Sequence, residues 1–505
     1  MSSGLDLAQV AAKSSLITNQ TLMAVTGNNV ARADEENYHR QIAITESNAI
    51  VANGNGFFGT GSSVTQITRS YDAALESNYR RANSRNEYEQ NYADSLSQIE
   101  DLLGPEGENV LSDAVHLFAD AVQTVSTTPE STTNRNAMLG EAVNLSEQLN
   151  QQYENLRQLR DLGADNVSGQ GILATAVNKL NQLAQELGPL NDEIARLESN
   201  IFVNQLANDL RDDRNALIIE VQKLVDVDVT ELDNGRISLF IGERSLIDGT
   251  GYPASGIHNI TAALPDPATE DTHQVASITW DDFEDEELII VDGYGAIPAV
   301  IDSRKYITDR MDDLYAYAST INTVVNDILQ TGTYPADAAS AYDLNGDPGS
   351  ALFELGTDIS GNQPAFGAIL TVVMTDPKKI AASNVNGETG NGDNAGSLWE
   401  ALNDPLTDVN GDGVDDPDSI LYKESVLGFA NIFLGKIATE VSITFTQANT
   451  AESTRDMFQN AVQQLSGVNM DEEMTKMLSI QRSYQASAKL MKTINEMLDV
   501  ALSLI

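Results

Sequence analysis

The sequence predicts an α+β fold: an elongated antiparallel helical bundle or coiled coil built from both chain ends, with β-rich lobes inserted in the middle. Three observations carry this. Both ends of the chain place apolar residues at helical spacing, the apolar period switches to two at Asp226, and helical spacing returns after Asp302 and again after Leu427. At the start, Leu5, Ala8, Ala12, Leu16, Met23 and Val30 fall on one helical face. At the finish, Met474, Met477, Tyr484, Ala488, Met491, Leu498, Leu502 and Ile505 do the same. Chain ends ordinarily fray and carry polar residues. Stripes of this kind are expected to pair with each other, with other subunits, or both.

Between these ends, helices are expected over 72–103, with Gly104-Pro105 as the stop, over Val110 to Val125, and over 135–161. The clearest seam is 172–201, where Ala176, Leu180, Leu183, Leu187, Leu190, Ile194, Leu197 and Ile201 alternate steps of four and three, a coiled-coil repeat. Gly188-Pro189 predicts a kink or break in it. Phe202 to Val225 continues as helix. Val225, Val227 and Val229 then alternate with polar residues, and Asp233-Asn234-Gly235 marks a tight hairpin returning through Arg236 to Ile241. The acidic run from Asp281 to Glu287 reads as a solvated loop. A helix is expected over Asp302 to Gln330, and short strands such as Ala368 to Met374 inside the turn-rich stretch 332–427. A last long helix runs from Leu427 through Phe433, Ile437, Val441, Ala448, Phe458, Val462 and Leu465. The expected units are a terminal-helix coiled coil from 1–60 with 467–505, a helical rod from 61–225 with 302–331 and 428–466, a β-rich insert at 226–301, and a mixed β and loop insert at 332–427.

Composition narrows the function. The chain has 505 residues, 41 % hydrophobic but only 6 % aromatic, enough for several domains with real cores. With 75 acidic against 29 basic residues its net charge is −46, which repels phosphate backbones and argues against nucleic acid. No run approaches eighteen apolar residues, so no membrane insertion is expected. Asp6 sits early, and no basic stretch precedes an apolar core, so no cleaved secretory signal is expected. The chain has no cysteine, which removes disulfides and thiolate metal sites.

Catalytic chemistry finds no support. His39, His116, His258 and His273 fall in no HExxH pattern, and neither a phosphate-binding glycine loop nor a nucleophile elbow is present. No cofactor is expected apart from one calcium candidate. Asp408, Asn410, Asp412 and Asp416 fall at positions one, three, five and nine of a calcium loop with Gly413 at six, although Ser419 replaces the bidentate acid at twelve. Asx-turns in an acidic loop explain the same spacing. A weaker run, Asp343, Asn345 and Asp347, ends with Glu354 but has Pro348 in the glycine place.

Several blocks resemble the bacterial flagellar axial proteins, and among them the hook–filament junction members. Residues 28–41, NNVARADEENYHRQ, resemble the NNIANANTPGYSRQ signature at Asn28, Asn29, Ala31, Ala33, Tyr38, Arg40 and Gln41. They depart from it at Glu35-Glu36-Asn37, where the family has Thr-Pro-Gly. Residues 467–473 (GVNMDEE) and 481–489 (QRSYQASAK) resemble the family's GVNLDEE and QQAYQASAK segments. Residues 210–214 with 224–227, 343–353, 376–383 and 392–394 also resemble junction-protein blocks.

The resemblance implies a structural protein exported unfolded by the flagellar type III apparatus, located extracellularly at the junction of hook and filament. Its partners would be other copies of itself in a ring, the hook protein, the second junction protein, and an export chaperone on the C-terminal helix, in helix-in-groove fashion. Assembly would rest on Leu5, Ala8, Ala12, Leu16, Met23, Asn28, Asn29, Tyr38, Arg40 and Gln41, and on Tyr484, Ala488, Met491, Leu498, Leu502 and Ile505. Two alternatives stay open: a calcium-dependent surface adhesin using the Asp408 loop, and another axial protein such as the second junction protein or a flagellin-like subunit.

Overall fold

The computed structural model describes residues 4–53, 56–104, 109–162, 171–199, 206–250, 257–263, 277–281, 293–337, 340–357, 364, 367–412, 414–417 and 419–503. Helix α1 (Gly4–Ala31) is followed by four strands, β1 (Gln41–Ser47), β2 (Ile50–Asn53), β3 (Gly56–Gly59) and β4 (Ser62–Arg69). Then come α2 (Ala73–Leu103), α3 (Val110–Thr127), α4 (Thr132–Leu162), α5 (Ile172–Glu198) and α6 (Asn208–Leu224). Strands β5 (Asp228–Glu231), β6 (Ile237–Ile241), β7 (Arg244–Ile247), β8 (Ile260–Ala263) and β9 (Ser277–Trp280) lead to α7 (Ala296–Thr331). The chain ends with β10 (Phe353–Leu355), β11 (Leu370–Val372), α8 (Asp393–Asn403), α9 (Val426–Ser466) and α10 (Met470–Ser503). The accessible surface is 24790 Å² for a 54.4 kDa chain. A compact monomer of that mass exposes roughly 18,000 Å², so the shape is extended, as the fold class predicts.

One core is helical. Leu96, Ile99, Val115, Phe118, Val122, Met138, Leu145 and Leu149 from α2, α3 and α4 meet Met311, Leu314, Tyr317 and Ile321 of α7, and Phe429, Phe433 and Ile437 of α9. Tyr317 stacks on Phe429 at 4.2 Å between centroids and donates its hydroxyl to the Val426 carbonyl at 2.7 Å. Each such apolar side chain contributes about 1.5–3 kcal/mol. Local signals start the helices: Asp72 accepts from the amides of Ala74 and Leu75, Asn109 from Ser112, and Ser425 from Gly428. The expectation of no membrane-length apolar segment meets one exception, an 18-residue window of mean hydropathy 1.4 within Val426–Val500. A third of that window is buried, and in α9 Val426, Leu427, Phe429, Ala430, Phe433 and Ile437 belong to this core.

The second core belongs to α5, α6 and the strands β5–β9. The α5 seam of Leu180, Leu183, Leu187 and Ile194 is buried as its spacing predicts, but it packs α6 and small sheets rather than a second coiled-coil strand. Nor does Pro189 break the helix: α5 runs through it. The ring lies on the exposed side, and two residues on, Asn191 ties the helix to the sheet by donating to the Ile237 carbonyl at 2.9 Å and accepting from its amide at 2.8 Å. Beyond α5, the continuous helix expected from Phe202 starts only at Asn208, and 200–205 lie outside the described residues. The Asp233-Asn234-Gly235 hairpin forms, with Gly235 at φ 82°, joining β5 to β6. Of the acidic run, 282–287 lie outside the described residues. At Gly295 (φ 86°) a Cβ would sit 2.6 Å from the Leu224 carbonyl oxygen, so this meeting of α2, α6 and α7 requires glycine.

Two further differences concern elements. Helix α7 starts at Ala296, before the expected Asp302, because Pro298 in its first turn gives up no intrahelical bond. Helix α8 was not expected in the turn-rich stretch; its Asn394 is buried and donates to the Ile328 and Ala381 carbonyls.

No strand was expected before Val225, yet β1 pairs antiparallel with β4 and β2 with β3 over residues 41–69. This ribbon lies along α1, where Thr18 donates to the Ser62 carbonyl at 2.7 Å and Ser14 to that of Thr60 at 3.3 Å.

Candidate assembly interface at the joined chain ends

Helices α1 and α10 pair antiparallel. Asn29 near the end of α1 meets Glu473 at the start of α10, while Ser15 meets Ser487 at 2.8 Å and Gln20 meets Tyr484 at 3.4 Å. The expected stripe lies at or near this seam: Ala12 is buried, and Leu5, Ala8, Leu16 and Met23 are partly covered, as are Tyr484, Ala488, Met491 and Leu498. The side chains of Leu502 and Ile505 lie outside the described residues. Met474, also placed on the stripe by spacing, is 49 % exposed instead. The seam's best-buried members on α10 are Ile480 and Ile494, which the spacing count passed over.

Only the inward face is covered. Met470, Met474, Leu478, Leu490, Met497 and Val500 on α10, with Val10 and Ile17 on α1, face solvent. A paired helix that keeps a second apolar face is suited to bind further helices.

The two ends are locked where they meet the rest of the chain. Glu473 has no exposed surface and takes Arg40 Nε at 2.8 Å and Asn29 Nδ2 at 3.1 Å, while Arg40 also reaches Glu472 at 2.6 Å. Asn29 Oδ1 accepts the Tyr38 hydroxyl at 2.8 Å and the Gln41 amide at 2.9 Å, and Gln41 Nε2 donates to Asp209 at 2.8 Å. Four of the expected residues, Asn29, Tyr38, Arg40 and Gln41, thus form one network; neighbouring Asn28 contributes its carbonyl, which accepts from the Arg32 amide at 3.1 Å. Burial, with nearby Asp209, pushes the Tyr38 phenol upward. Burial disfavours the Arg40 charge, but the hydrogen bonds it donates to Glu473 and Glu472 outweigh it and raise its pKa. The turn itself closes without the family's Pro-Gly: Glu35 N donates to Arg32 O, and Tyr38 N to Glu35 O.

Beside this lock lies a charged cluster that sequence reasoning missed. His39 is buried, with Nδ1 2.8 Å from Asp212 of α6 and Nε2 3.1 Å from Glu76 of α2. Arg69, at the end of β4, adds a 2.7 Å contact to the same Asp212 oxygen. Burial pushes the imidazole down, yet the two carboxylates outweigh it and hold its pKa at about 9. His39 is therefore a doubly donating imidazolium at neutral pH, tying the ribbon and turn to α2 and α6. Asp212 stands inside the block 210–214 noted in the sequence, but nothing in one sequence pairs it with a histidine 173 positions away.

The acidic loop shows what its side chains do. Asp416 Oδ2 accepts from the amides of Val409 and Asn410, Asp408 Oδ1 from Gly411, Asn410 Oδ1 from Asp412, and Asp412 Oδ1 from Val414. The bonds of Asp408, Asn410 and Asp412 are Asx-type turns, while Asp416 closes the loop from its far end; Gly413 lies outside the described residues. In the weaker run, Asp343 Oδ1 likewise accepts from Asn345 and Asp347.

Comparison with known proteins accords with this architecture. Residues 459–504 match the family model for the flagellar basal body rod FlgEFG protein C-terminal region. Over its length the chain is similar to flagellar hook-associated protein 1 of Bacillus subtilis strain 168, with 27 % identity covering 97 % of this chain and 96 % of the relative. Similarity to flagellar hook-associated protein 1 of Salmonella typhimurium strain LT2 is 23 %, covering 98 % and 99 %, and to that of Escherichia coli K12 22 %, covering 98 % of each. In fold it resembles the flagellar hook junction protein FlgK from Burkholderia pseudomallei, with a TM-score of 0.60 and 14 % identity over 77 % of this chain and 99 % of that one. Residues 96–353, just over half of the chain, match the model of the flagellar hook-associated protein FlgK helical domain, and the chain belongs to that family.

Proposed function

We propose that this chain is a structural subunit of the bacterial flagellum that joins hook to filament by polymerising through α1 and α10. The observation that carries this reading is the α1–α10 pair, which buries one face and leaves a second apolar face, including Leu478, Leu490 and Met497, uncovered. Burying each of those side chains in an assembly contributes about 1.5–3 kcal/mol, less the loss of side-chain freedom. Family membership supports the flagellar setting. In this reading the protein leaves the cell unfolded through the flagellar export apparatus, with a chaperone on α10 beforehand, and then contacts hook protein on one side and a second junction protein on the other.

The test is electron microscopy of cells lacking the gene, with flagellin assayed in the medium. Bare hooks and flagellin lost to the medium support the junction role. Intact filaments without the protein reject it.

A further inference from the structure

The ribbon of residues 41–69 continues beyond the β1–β4 pair. Its outer part, β2 with β3, carries Ile50 at 67 %, Phe57 at 83 % and Phe58 at 43 % exposure. In the β2–β3 register Ile50 pairs with Gly59 and Ala52 with Phe57, so Ile50 and Phe57 share one face while Val51 and Phe58 share the other. A two-stranded ribbon with large apolar groups toward water is marginal by itself. Here its base is held against α1. Gly61 (φ 96°) presses so close to α1 that a Cβ would lie 1.9 Å from Ser14 Oγ, and Ser14 and Thr18 donate to Thr60 and Ser62.

We propose that the Ile50–Phe57 face docks on the outward face of α10 of a second copy, at Leu490 and Met497. This deepens the polymerising role and rests on it. Charge selects the occupant. The whole chain carries −46, but residues 1–69 and 467–505 together hold ten acidic and eight basic residues, so −44 of the total lies in 70–466. Net charge therefore opposes contact between copies through 70–466 far more than through this nearly neutral module. Position selects the site. Antiparallel pairing sets Ser15 beside Ser487, so the half of α1 that holds the ribbon is level with the half of α10 that carries Leu490 and Met497. A neighbour displaced sideways presents that face at ribbon height. Ribbon and helix are different surfaces, so the contact is head-to-tail and propagates from copy to copy.

The chain has no cysteine, which gives a clean test. Flagella are isolated from cells whose gene encodes Gly59→Cys, opposite Ile50, with Thr493→Cys, between Leu490 and Met497, which leaves the contact residues in place; they are oxidised and run without reductant. The expected result is a ladder extending past dimer that neither single variant gives. A double variant present in the flagella, joined into oligomers by an amine cross-linker, yet monomeric after oxidation overturns the inference and leaves the assembly role standing. Absence of the unsubstituted protein from flagella overturns both. Separately, Ile50→Ser with Phe57→Ser changes exposed residues only, so the purified protein should keep its melting temperature while incorporation falls roughly tenfold or more. Unchanged incorporation sinks the proposal.

Discussion

Arg40 donates its Nε to Glu473 at 2.8 Å across 433 positions of sequence, and the carboxylate that receives it has no exposed surface. Removing the cation strands a buried charge with Asn29 and with Lys476 at 3.9 Å. Arg40→Ala should destabilise the α1–α10 module by about 3–5 kcal/mol, the range for breaking a buried pair. Hydrogen exchange in the first turns of α10 should accelerate roughly a hundredfold or more. Unaltered exchange there would show that the pair does not hold the ends.

His39 predicts a pH dependence with a definite sign. Its folded pKa of about 9 stands above the ordinary 6.5, so folding stabilises the charged form. That contribution is complete below about 6.5 and is lost as pH rises through about 9, amounting to about 3 kcal/mol. Melting temperature should fall over that window in the native protein and fall less in His39→Gln. Parallel pH curves for the two would refute the assignment.

For the acidic loop, Asp416→Ala removes the acceptor for the Val409 and Asn410 amides. The expected loss is about 0.5–1.5 kcal/mol, since the part-buried Val409 amide loses its partner while the Asn410 amide turns to water. Calcium should leave the melting temperature of the native protein unchanged, because the loop oxygens are already engaged by amides. A calcium-dependent rise abolished by Asp416→Ala would instead establish the loop as a calcium site.

The two faces of α10 should respond oppositely. Ile494, 3 % exposed, faces α1, and Ile494→Ala should cost about 2–4 kcal/mol in the monomer. Leu490, 52 % exposed, should tolerate Leu490→Ala within about 0.5 kcal/mol as a monomer yet assemble poorly. Equal effects on monomer melting would mean that the outer face is covered within one chain.

Long amphipathic helices were legible because their stripes are deep and their caps local: α3 and α9 begin within a residue of expectation and end a residue or two beyond it. The ribbon was not, since Ile42, Ile44, Ile50 and Phe57 point to solvent and give no burial alternation. Helix α8 was hidden by the glycine, asparagine and aspartate around it, its stability coming from Leu398 and Leu402 in the first core. At the interface, motif residues such as Tyr38 and Arg40 could be named, but their partners could not. Glu473 and Asp212 are ordinary surface types until distant segments enclose them.

Joining residue 40 to residue 473 also biases the order of events. Closing a free loop of that length costs about 5 kcal/mol of chain entropy, while closing the short segments left once α2 lies on α9 costs far less. Chain entropy therefore favours folding of the middle before the ends meet, and the end module is expected to form late. A subunit built this way is biased to complete its joining surface after the body behind it.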